Sequence, residues 1–149
     1  MLLPDGGGIG LIGPGAARTV PRERIDFWIT TLEALGARDE AAFASSLSDE
    51  GLLPEDAARA AYGEIEYALG PLLLTGGPTV LDDDALAAAG DRALDRLDTI
   101  VSLVGQATPD PADLWPLRML AQLAALLGPL GAEEDWLELA LGALRDGWR

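Results

Sequence analysis

The sequence predicts an all-α protein, an antiparallel bundle of four to five helices behind a glycine-rich leader. Three observations predict it. Ala and Leu supply most of an apolar content of 49%, while aromatic residues make up only 5%, so helix formers outweigh strand formers. Apolar residues recur at three- and four-residue spacing through successive segments. Turns marked by Gly and Pro separate those segments by short distances, which favours antiparallel neighbours. A chain of 149 residues holds one domain with a sizeable core, taken as residues 19–149, with residues 1–18 as the leader.

The first helix is expected over Pro21 to Leu35. At about 100° per residue, Ile25, Trp28, Ile29, Leu32 and Leu35 share one face, and Asp26, Thr30 and Glu33 lie opposite. Phe27 falls off that stripe, and Gly36 suits a helix C-cap. A short helix follows over Arg38 to Leu47, with Phe43 and Leu47 inward, until serines and Gly51 break it. Pro54 suits the first turn of a second long helix, whose inner face is Ala58, Ala61, Tyr62, Ile65, Leu69 and Leu72. Gly70-Pro71 is expected to kink or end it, and Thr75 to Pro78 (TGGP) to form a loop.

The third long helix is read as continuous from about Asp82 to Gly105, started by Thr79 or by the run Asp82-Asp83-Asp84. Its apolar arc is Leu86, Ala89, Ala93, Leu94, Leu97, Ile100, Val101 and Val104. Asp110 followed by Pro111 marks the next helix start, with Pro116 expected to interrupt it. From Leu117 to Leu127 only Arg118 and Gln122 are polar, which assigns this helix to the centre of the bundle. Gly128 to Gly131 turns the chain, and Glu133 to Arg145 forms the last helix, with Trp136, Leu137, Ala140, Leu141 and Leu144 inward.

Composition restricts the chemistry. The chain has no Cys, no His and no Lys, since all ten basic residues are Arg. Disulfides, thiolate nucleophiles, Cys/His zinc sites, imidazole bases and Schiff-base lysines are therefore excluded. A net charge of -15 disfavours nucleic acid and anionic membrane surfaces and suits a basic protein partner. Met1-Leu2-Leu3 runs into Pro4 and Asp5 with no basic region of signal-peptide type, so a soluble cytoplasmic protein is expected.

Gly8, Gly10 and Gly13 spell G-x-G-x-x-G, but the strand before and the helix opening at the last glycine are missing. What remains is an anion-binding reading: Arg18, Arg22 and Arg24 follow the glycines at a helix start and could hold a phosphate or carboxylate. A second candidate is the acidic stripe of Asp84, Asp91, Asp95 and Asp98, spaced along one helix strip to dock a basic partner, with Arg92 and Arg96 beside it offsetting part of its repulsion. Trp28 and Trp136 read as core and Trp115 as a packing wedge, whereas Trp148 near the C-terminus is a partner anchor.

These features favour a small acidic protein-interaction or regulatory protein, not an enzyme, without cofactor. Its sharpest form neutralises a basic protein in the manner of an immunity protein or antitoxin. One alternative is a carboxylate-metal hydrolase using magnesium or manganese, with Asp91, Asp95, Asp98 and Glu64 as ligands. The other is a homodimeric helical binding module, motivated by the apolar excess around Leu117 to Leu130.

Overall fold

The computed structural model describes residues 20–146, so the glycine motif, Arg18 and Trp148 lie outside the described residues. The chain is mostly helical. In order it forms α1 (Arg22–Gly36), α2 (Glu40–Asp49), α3 (Glu55–Leu73), β1 (Thr79–Leu81), α4 (Asp83–Asp95), α5 (Leu97–Gln106), α6 (Pro111–Leu127), a 3-10 turn (Gly128–Leu130), β2 (Ala132–Glu134) and α7 (Trp136–Asp146). The described residues thus hold seven α-helices and a two-stranded sheet, where the sequence reading expects four or five helices and no strand.

The main core lies where α1, α2, α3 and α7 meet. Asp39 caps α2 by accepting from the Ala42 amide at 2.9 Å, which aims Phe43 and Leu47 inward. Phe43 is 2% exposed and meets Tyr62 of α3 edge-on, with ring centroids 5.5 Å apart. Burial, followed by the nearby Glu66 carboxylate, raises the Tyr62 phenol above its ordinary pKa. Ala58, fully buried, lets α2 and α3 approach closely. A smaller cluster of Leu72, Leu81 and Ala89 sits under the sheet.

Several expectations are corrected. Phe27 is buried, because α1 packs on both α2 and α7 and its covered arc is wider than one stripe. Leu69 is exposed, and Ala68 takes the inward position in its place. α3 runs through Pro71 to Leu73, since a proline in the last turn removes only one helical bond and the Leu74 amide still reaches the Gly70 carbonyl at 2.8 Å. Likewise α6 runs over position 116 without a break.

Thr79 starts no helix: Thr79, Val80 and Leu81 pair antiparallel with Glu134, Glu133 and Ala132. The last helix accordingly begins at Trp136 and not at Glu133, and the Trp136 indole donates to the Thr79 carbonyl at 2.8 Å. Asp82 is the cap of α4, accepting from the Ala85 amide at 2.8 Å. The expected third helix is two helices, broken at Arg96, whose φ of -114° and ψ of 17° leave the helical region.

Gly36 does not cap α1. The left-handed residue is Arg38, at φ 55°, where the Asp39 amide reaches back to the Ala34 carbonyl at 2.9 Å and the Arg38 amide to Leu35 at 3.1 Å. Gly36 instead admits α7: a Cβ there would stand 2.7 Å from Leu137 Cδ2. Gly36→Val is therefore expected to cost about 1–3 kcal/mol through overpacking. At Gly63, mid-α3 with open space around it, Gly63→Ala is expected to stabilise by up to about 1 kcal/mol. Thermal denaturation of the two variants reads both signs.

Candidate functional site

The two described arginines of the anion-binding reading hold the chain's own carboxylates. Arg22 pairs with Asp26 one turn on, at 2.9 Å. Arg24 meets Asp113 through both Nε, at 2.6 Å to Oδ1, and Nη2, to Oδ2, and its Nη1 donates to Glu50 at 2.9 Å. The guanidinium also lies 4.4 Å from the Phe27 ring centroid. The two side chains of the central pair are only 12% and 6% exposed. Hydrogen bonding to Asp113 holds the Arg24 guanidinium above its ordinary pKa, against the opposing effect of burial. This arrangement ties the start of α1 to the start of α6 and to the end of α2.

Asp84, Asp91 and Asp95 are exposed along α4, and Asp98 is exposed on α5 beyond the break. The break means that Asp98 does not continue the α4 register. Arg92 and Arg96 turn toward α3: Arg92 donates to the Ala68 carbonyl at 3.1 and 3.0 Å, and Arg96 lies 4.9 Å from the Tyr67 ring centroid. The Tyr67 hydroxyl reaches Asp95 at 3.5 Å. Glu64 is half-buried on α3, with Oε2 enclosed and without a hydrogen-bond partner. Among the described residues no three acidic side chains converge as a metal-holding group, so Asp91, Asp95, Asp98 and Glu64 are not brought together as one.

The structure adds a feature that the sequence reading placed in the core. Leu94, Leu97, Val101 and Val104 are 49 to 68% exposed along α4 and α5. By helical spacing, Asp91 neighbours Leu94 and Asp98 neighbours Val101, and Asp95 stands one turn beyond Asp91. Leu97, Val101 and Val104 thus form an exposed apolar face on α5, with Leu94 exposed at the end of α4 before the break. α6, expected at the bundle centre, is exposed at Met119, Leu120, Leu123 and Leu126. Among its described residues, Asp113 at its start and Leu127 with the following turn meet the rest of the fold. The signal available in the sequence was excess: the apolar arcs of these helices hold more large side chains than the neighbouring elements can cover.

One cleft of about 550 Å³ opens between the ends of α1 and α3 and the face of α7. Leu73, Leu74 and Leu137 form its apolar wall. Its two guanidinium groups are engaged within the chain, Arg145 with Glu33 at 2.7 Å and Arg38 with Glu66 and the Leu74 carbonyl, each at 2.9 Å. No described helix is long and apolar enough to cross a membrane. Comparison with protein families, with curated proteins and with solved structures gave no match, so any functional reading rests on the chain's own residues.

Proposed function

We propose that the chain is a small acidic protein-interaction module, built as an antiparallel helical bundle, which docks a basic amphipathic helix of a protein partner on α4 and α5. One observation carries the reading: Leu97, Val101 and Val104 stand exposed along α5 with Leu94 exposed just before it, and Asp91, Asp95 and Asp98 are exposed on the same two helices. A helix with leucines on one side and cations beside them matches both parts, its apolar face covering the exposed apolar side chains and its cations meeting the carboxylates. The chain's net charge of -15 adds long-range attraction for such a partner and repels an acidic one. Asp84, about two turns before Asp91 toward the start of α4, adds to the acidic surface.

The test uses a synthetic amphipathic helix of Leu and Lys as probe, with its Leu/Glu counterpart as control. Calorimetric titration is expected to show saturable binding of the Lys peptide that weakens as salt rises. Replacing Leu97 and Val101 together by Ser is expected to weaken binding at least about tenfold, since two exposed apolar contacts of about 1 kcal/mol each are lost. Both side chains are exposed, so the fold survives the change. Equal affinity for the Glu peptide, or none for the Lys peptide, overturns the reading.

A further inference from the structure

α6 has its own unpartnered face, and its chemistry differs from that of the α4 and α5 surface. From position 114 to position 132 the only charged residue is Arg118. Met119, Leu123, Leu126 and Leu130 are spaced four, three and four residues apart, the alternation of a coiled-coil seam, and Leu120 flanks them. At about 100° per residue Met119, Leu123 and Leu126 fall within roughly 60° of one another, and Leu130 follows in the 3-10 turn beyond the helix end. All five side chains are 50 to 74% exposed. Around them Ala121, Gln122 and Ala125 are exposed as well, so from 118 to 127 the helix is largely apolar and uncovered over most of its circumference.

We infer that this face of α6 pairs with the α6 of a second copy of the chain, across a two-fold axis. Area supports a second copy. At roughly 100 Å² each, the five side chains present about 500 Å², the size at which an exposed patch marks an interaction site. With the neighbouring alanines and Pro129 this approaches the ~800 Å² per partner of a stable interface. Charge supports it too. Two chains of -15 each repel wherever their acids meet, and this acid-free seam is a surface through which they approach without bringing carboxylates together. A basic partner, by contrast, finds no carboxylate on the seam to meet. A two-fold pair is self-complementary by construction, because the same patch serves both copies.

Sedimentation of the full chain over a concentration series tests this. The expected result is a species of twice the 15.6 kDa chain mass, whose formation strengthens with salt because screening relieves the repulsion between acidic surfaces. That salt response is opposite in sign to the one expected for the basic peptide on α4 and α5, so the two readings fail separately. Leu123→Glu and Leu126→Glu are each expected to weaken dimerisation at least about tenfold. Both positions are exposed, and Glu is a good helix former, so helical circular dichroism is unchanged. Leu139→Glu, an equally apolar-to-acidic change at an exposed site on α7, is expected to leave the dimer intact. A single-chain mass at every concentration overturns the proposal, and so does a dimer indifferent to Leu123→Glu. A monomer in which Met119 resists oxidation also overturns it, by assigning the cover of α6 to the chain's own residues.

Discussion

Asp113→Ala is expected to destabilise the fold by about 3–5 kcal/mol, the penalty for leaving a largely buried charge without its partner. Arg24 is the group left behind. It is 12% exposed, packed over the Phe27 ring, and loses both bonds to Asp113, keeping the Glu50 contact and the field of Asp110. Because a small domain is stable by about 5–15 kcal/mol in total, this one truncation removes a large share. Its origin can be separated from simple loss of packing. In the double variant Arg24→Met, Asp113→Leu no charge is stranded, and most of the stability is expected to return, since apolar replacement of a buried pair is often neutral or better. Urea denaturation of the two variants reads the difference directly: the midpoint falls in the single variant and recovers in the double one. A single variant within about 0.5 kcal/mol of the parent would show that the pair is solvated and carries little.

Phe43→Ala is expected to cost a further, independent amount of about 3–5 kcal/mol. Phe43 is 2% exposed at the junction of α2 with α3, and its ring meets Tyr62 edge-on. Truncation removes the buried apolar surface and leaves a cavity that two helices, fixed by the Asp39 cap and by the close packing at Ala58, cannot collapse around. Phe43→Leu, which keeps most of the volume, is expected to cost less than half as much. The ordering Ala far below Leu, read by thermal unfolding, distinguishes a packed site from a loosely filled one.

The core around α1, α2 and α3 was legible because periodicity alone places Leu35, Phe43, Leu47, Ala58 and Tyr62 inward, and the structure buries all five. Phe27 was misread because a helical stripe assumes one covering neighbour, and α1 has two. Gly36 carried the sign of a helix end, yet its missing Cβ serves the approach of Leu137 from a helix about a hundred residues away in sequence. The break at Arg96 has no Gly or Pro at it, so no local signal announces two helices there. Nor do three-residue strands show an alternation, and the pairing of Thr79 with Glu134 is a long-range event.

The site was legible only in part. The acids Asp91, Asp95 and Asp98 stand on the surface as their spacing suggests, but the apolar residues beside them were assigned inward. Hydrophobicity specifies that Leu97, Val101 and Leu123 need cover; it does not specify whether the cover comes from the same chain. Arg24, a candidate for an external anion in the sequence, holds Asp113 and Glu50 in the structure. Its partner Asp113 is 89 residues away, and nothing at either position in the sequence indicates the other.

The most direct measurement of the docking claim is amide hydrogen exchange on the full chain, with and without the basic Leu/Lys helix. Added protection is expected across 94–104, which carries the exposed Leu94, Leu97, Val101 and Val104, with 40–49 of α2 unchanged. Protection confined to α6, or absent from 94–104 under conditions where the peptide is bound, would contradict it.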